Sequence, residues 1–95
     1  MPTEIVPVVV TYNPAEPTLT ASLAALLSQV QRVVVVDNDS TCDVTDTITC
    51  LDEKQRDRIN LIKLQHNDGL GHAFNIGIAS ARELNAAFVL LMGSG

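Results

Sequence analysis

Tryptophan is absent from this chain, and one tyrosine and two phenylalanines are its only aromatics. So few rings disfavour an aromatic-lined pocket and imply an aliphatic core of stacked strands and helices. Positive charge is scarce as well: six Lys and Arg stand scattered against eleven Asp and Glu, for a net charge of −5. Binding to a nucleic-acid backbone or to an anionic membrane needs clustered Lys and Arg, so neither is expected. Cys42 and Cys50 are too few for a disulfide framework, and their spacing matches no zinc knuckle. They read as two reduced thiols of a cytoplasmic protein. The longest apolar run, Ala86–Met92, is far too short to span a bilayer, and no signal peptide is recognisable before the first strand. With 95 residues, 46% of them apolar, the chain makes a single small domain, residues 1–95, that buries roughly 60–65% of its unfolded surface.

What is present is a series of β-branched runs separated by helical periodicity. Ile5–Val10 reads as a strand buried on both faces, with Pro7 tolerated near its start. Leu19, Leu23, Leu26, Leu27 and Val30 form one stripe of a helix from about Pro17 or Thr18 to Gln31. Arg32–Val36 is a second strand, a helical segment lies within Val44–Arg58, and Asn60–Leu64 is a third strand. Ala73–Leu84 is a third helix and Phe88–Met92 a fourth strand. The pattern predicts an α/β fold: a Rossmann-like parallel sheet of about four strands with three helices and right-handed crossovers.

In such sheets ligands lie beyond the carboxyl ends of the strands. Four polar segments converge there: Thr11-Tyr12-Asn13, Asp37-Asn38-Asp39-Ser40, His66-Asn67-Asp68-Gly69 and Gly93-Ser94-Gly95. Asp37 either accepts the ring N–H of uracil or thymine or merely shapes a turn and caps the next helix. Thr11 and Tyr12 either hydrogen-bond and stack against a base or are half-buried strand ends. Gly69 and Gly71 permit positive φ and close backbone approach at a helix amino terminus, where a diphosphate is favoured. The plain alternative is an Asn/Asp/Gly turn. Gly77 costs about 1 kcal/mol against Ala inside a helix, which points to close helix–sheet packing or a ligand. The G-x-G-x-x-G fingerprint fails at Phe74, and no P-loop is present. His66, His72 and the cysteines match no common metal spacing.

Three ordered motifs carry a resemblance over essentially the whole chain: Val8-Val9-Val10-Thr11-Tyr12-Asn13-Pro14, Val34-Val35-Val36-Asp37-Asn38 with Ser40, and Asn67-x-Gly69-x-Gly71-x-Ala73-x-Asn75-x-Gly77. They resemble the amino-terminal nucleotide-binding half of family-two inverting glycosyltransferases of the GT-A fold, nearest the bacterial branch that uses dTDP-L-rhamnose. The resemblance implies that Thr11, Tyr12 and Asp37 hold the base, with Asn13 and Asn38 beside them. It implies that Asn67 and Gly69 contact the nucleotide and that Asn75 supports the phosphate side.

The resemblance further implies transfer of a sugar from a dTDP- or UDP-sugar to a glycan or lipid-linked glycan acceptor. An acceptor hydroxyl, deprotonated by a carboxylate base, displaces the nucleoside diphosphate in one step. The parent enzyme is expected to use Mg²⁺ or Mn²⁺ on an Asp-x-Asp motif, and to work in the cytoplasm or peripherally at the inner face of the cell membrane.

Here Gly93, Ser94 and Gly95 occupy the motif positions, and glycine offers a metal no side-chain oxygen. No catalytic residue is assigned, because the base is expected in an acceptor-binding half that this sequence lacks. The expectation is an inactive fragment. The alternatives are a non-catalytic nucleotide-binding or self-associating module paired through its fourth strand, or, more remotely, a flavodoxin- or receiver-like domain.

Overall fold

The β-branched runs form the middle of a four-stranded sheet in a computed structural model that describes residues 5–41, 44–86 and 88–94. Strands β1 (Ile5–Thr11), β2 (Val33–Asp37), β3 (Ile59–Lys63) and β4 (Phe88–Ser94) lie in the order β3-β2-β1-β4. All three pairings are parallel. The alternation of side chains across each strand divides the valines into two layers. Val9, Val33 and Val35 pack with Leu19, Leu23 and Leu27 of α1 (Glu16–Leu27) and with Val44 and Ile48 of α2 (Val44–Thr49). Val6, Val8, Val10, Val34 and Val36 pack with Ala73 and Ala81 of α4 (Leu70–Glu83).

Two steps of the chain carry the sheet from β1 to β2 to β3; the third returns past β1 to place β4 on its other side. The topological switch therefore lies between β1 and β4, the place where open α/β sheets bind ligands. Pro7 is fully buried in β1 although β1 is an interior strand. It stands one residue before the β2 ladder begins at Val8–Val34. The Thr11 carbonyl accepts from Asn38 N on the β2 side. By the two-residue alternation Pro7 faces the same side, so its missing N–H removes no rung.

Several element ends depart from the sequence expectation, α4 for instance starting at Leu70 instead of Ala73. The first helix ends at Leu27 rather than Gln31, because Arg58 reaches across from the start of β3 to the carbonyls of Leu27, Val30 and Gln31. Val30 still packs against the α1 layer, which explains why its periodicity extended the expected helix. The segment 44–58 is two short helices. Buried Leu51 separates α2 from α3 (Glu53–Arg56), and α3 starts at a reciprocal Asp52–Gln55 capping box. The fourth strand runs on to Ser94, two residues past Met92.

Gly77 sets the seat of α4 on the sheet. A Cβ there would stand 2.2 Å from Val8 Cγ1 and 3.1 Å from Val36 Cγ2. The helix thus crosses over the β1–β2 pair with no room for a methyl group. Gly77→Ala is expected to destabilise the fold by about 1–3 kcal/mol through overpacking, despite alanine's better helix propensity. Urea denaturation reads this directly, and an unchanged midpoint would contradict it.

Candidate functional site

The parallel register brings Thr11 level with Asp37 at the carboxyl ends of β1 and β2, and Ser94 level with Thr11 on the other side. Thr11 is fully buried, and Asp37 and Asn38 are only 3% and 4% exposed. Three buried polar residues at a sheet end need partners, because an unmet polar group away from water costs about 1–3 kcal/mol.

Asp37 finds its partners on both flanks. Its Oδ1 accepts from Thr11 Oγ1 at 2.8 Å and from Ser40 Oγ at 2.5 Å, and its Oδ2 accepts from Ser40 N at 3.1 Å. Ser40 Oγ also accepts from Asn13 N at 2.8 Å. Asn13 Oδ1 in turn accepts from Thr41 N at 2.8 Å and Thr41 Oγ1 at 3.0 Å. The exit loops of β1 and β2 are therefore one hydrogen-bonded unit with Asp37 at its centre. Asn13 and Asp39 hold left-handed backbone conformations, φ 46° and 65°, which Asn and Asp tolerate better than other side chains. Tyr12, 48% exposed, stands outside this unit as the one aromatic at the rim.

A third loop joins them. Asn38 Nδ2 donates to Asn67 Oδ1 at 3.1 Å, and Gly69 N donates to the same oxygen at 3.0 Å. Asn38 Oδ1 is buried without a hydrogen-bond partner. Gly69 is the N-cap of α4 with φ 98°, a conformation that requires glycine here. Its carbonyl accepts from Ala73 N, so Leu70, Gly71 and His72 present N–H groups with no acceptor inside the helix.

Gly71 differs from the sequence expectation, since it lies within the helix and is not at positive φ. A Cβ there would meet nothing within 4 Å, so Gly71 keeps the surface open rather than permitting a turn. Asp68 and His72 flank the same helix end, their carboxylate oxygen and Nε2 3.9 Å apart.

Asn75 is not drawn into this cluster. Ala73, Gly77 and Ala81 make the buried stripe of α4, and Asn75 is exposed, about 160° around the helix from that stripe on 100° per residue. Gly93 lies beside Val10 on β4 with open space around it, and Gly95 and Cys42 lie outside the described residues. Among the described residues no group of three His, Cys, Asp or Glu is arranged to hold a metal ion. Gly93 supplies no side-chain oxygen, so the position does not fit a divalent cation.

Ser40 was expected at the rim but given no role of its own, although its hydroxyl links both loops. The hint was its place three residues after a strand-end Asp, where side chain-to-backbone turns form.

A family model described as glycosyl transferase family 2 matches residues 8–92. The chain belongs to glycosyl transferase family 2. It is 34% identical over 90 residues to the dTDP-rhamnosyl transferase RfbF of Shigella flexneri, covering 95% of this chain and 29% of that protein. It is 38% identical over 74 residues to an uncharacterized glycosyltransferase of Nostoc sp., covering 75% of this chain and 23% of that one. The chain thus spans less than a third of the length of either relative. No solved structure gives a significant match. The partial GT-A architecture expected from the motifs agrees with the family and with the four-stranded parallel sheet. Among the described residues, no helix is long and apolar enough to cross a membrane.

Because Ser40 serves as donor and acceptor at once, Ser40→Ala leaves both Asp37 Oδ1 and Asn13 N short of a partner. A loss of about 1–3 kcal/mol in unfolding free energy is expected by chemical denaturation. A loss of a few tenths would show that the linked loops contribute little to the fold.

Proposed function

We propose that this chain is the donor-nucleotide-binding part of a glycosyltransferase that moves a sugar, on the subfamily reading L-rhamnose, from a dTDP- or UDP-sugar to a glycan or lipid-linked acceptor. The observation that carries the reading is the convergence of buried Thr11, Asp37 and Asn38 at the carboxyl ends of β1 and β2, next to the β1–β4 switch. Asp37 Oδ2 takes one donor and Asn38 Oδ1 takes none. Both atoms suit a ligand that brings N–H or O–H groups, and a pyrimidine with a protonated N3 is such a ligand.

Tyr12 supplies a stacking surface at the rim, and the free N–H groups of Leu70, Gly71 and His72 suit the anionic diphosphate. Asn13 shapes the loop beneath the base. Asn75, on the outer side of α4, is assigned to the phosphate side only through the family resemblance. The similarity to a dTDP-rhamnosyl transferase supports the choice of dTDP as first probe.

No group of this chain is assigned as the base that deprotonates the acceptor, and turnover by these residues alone is not expected. Mg²⁺ or Mn²⁺ belongs to the parent enzyme's chemistry; here Gly93 offers it no ligand, so binding is expected to be insensitive to the metal.

A second reading is self-association through β4. Among the described residues β4 pairs only with β1, and its seven residues carry neither charge nor proline. The opposite edge, β3, is five residues long and ends in Lys63. Uncharged, unblocked edges are the ones that pair with other chains.

An NMR titration with dTDP, with and without Mn²⁺, separates the two readings when run beside sedimentation velocity. Shifts at amides near Asp37 and Gly69, independent of Mn²⁺, are expected. They should be lost in Gly71→Ala, whose fold stability is expected to be unchanged or raised by about 0.4–1 kcal/mol. No response at those amides, together with a concentration-dependent dimer, would overturn nucleotide binding in favour of the edge-pairing module.

A further inference from the structure

Among the described residues, the hydrogen bonds between the β2 exit and the α4 entry run through one side-chain oxygen. Asn67 Oδ1 accepts from Gly69 N at 3.0 Å and from Asn38 Nδ2 at 3.1 Å. The Gly69 N–H requires an acceptor, which sets the orientation of the Asn67 amide. That orientation sets the orientation of the Asn38 amide in turn, and leaves Asn38 Oδ1 without a partner. Asn38 N is itself held by Thr11 O at 2.8 Å. A continuous path of bonds therefore joins β1, the β2 tip and the N-cap of α4. Gly69, at φ 98°, has no side chain to restrain it, and a glycine left alone ranges widely over φ and ψ. The Asn67 oxygen holds its N–H, as Ala73 N holds its carbonyl from within the helix.

We propose that Asn67 is a positioning residue that clamps the amino terminus of α4 to the strand tip carrying Asp37 and Asn38. The clamp sets the distance between the base-binding end and the diphosphate-binding end of the site, so that one nucleotide meets both. Asn67 acts through Asn38 and Gly69 rather than by touching the nucleotide. This inference rests on the donor-nucleotide reading above, and adds to it the division of labour between Asn67 and its neighbours.

The test compares dTDP with thymidine, which lacks the diphosphate, by calorimetric titration of this chain. Asn67→Ala is expected to weaken dTDP about tenfold and thymidine clearly less, the smaller loss coming from the Asn38 amide that Asn67 orients. Combined with Asn38→Ala it should weaken dTDP no further than the worse single substitution, because both break one coupled path. Equal losses for dTDP and thymidine, or additive losses in the double variant, would overturn the clamp.

Hydrogen exchange on the ligand-free chain provides an arm that needs no nucleotide. The Gly69 amide should exchange faster in Asn67→Ala and regain protection in Asn67→Asp, which keeps an acceptor oxygen. Unchanged exchange in Asn67→Ala would overturn the clamp whatever the binding data show. A native chain that does not bind dTDP would instead overturn the donor reading, with the exchange arm still deciding the clamp.

Discussion

A carboxylate nearly removed from water at the end of an interior strand constrains everything around it. Asp37 is 3% exposed, and its oxygens are met by two hydroxyls and one backbone N–H from Thr11 and Ser40. A buried charge without such partners costs several kcal/mol, so the neighbours must be in register for the fold to exist. The Thr11–Asp37 pairing follows from the same ladder that aligns Val8, Val9 and Val10 with Val34, Val35 and Val36. A slip by one residue would turn both valine layers inside out and strip the carboxylate of its donor. Core and site are therefore one specification.

The helices translate that specification into a rim. Leu19, Leu23 and Leu27 fix α1 on one face, and the missing side chain at Gly77 lets α4 settle across β1 and β2 on the other. Each of the three rim loops then carries one left-handed residue: Asn13, Asp39 and Gly69. These sharp reversals bring the loops back over the strand ends, where Asn13, Ser40, Asn38 and Asn67 tie them together. On the donor-nucleotide reading proposed above, the consequence is a rim with acceptors at Asp37 and Asn38 and N–H donors at the first turn of α4, complementary to the N3–H of a pyrimidine and to an anionic diphosphate.

The strands were legible because each is a short β-branched run between turn residues, and the parallel topology because helical periods separate them. Asp37, Asn38, Asn67 and Gly69 stood out at strand ends and turns, and the structure brings them within one bonded cluster. What the sequence concealed is how those atoms are used. Asn67 and Asn13 read as ligand-facing residues, yet their side-chain oxygens are already engaged by neighbouring loops. Ser40 stood in a rim segment and in the second motif, but its double role was concealed because it depends on a residue 27 positions away. Gly71 read as a turn glycine, yet it sits in the helix with open space around it. The end of α1 was concealed for a similar reason: the guanidinium that caps it comes from Arg58, beyond an entire strand and two short helices. Local pattern encodes elements and their order; long-range hydrogen bonding emerges only once the register is set.

Whether the strand tips and the α4 terminus form one seat for a nucleoside diphosphate is decided by a crystal structure of the chain grown with dTDP. The pyrimidine is expected beside Thr11, Asp37 and Asn38, with the diphosphate oxygens near the N–H groups of Leu70, Gly71 and His72. Electron density for dTDP at the opposite end of the sheet, or on a face away from these residues, would contradict it.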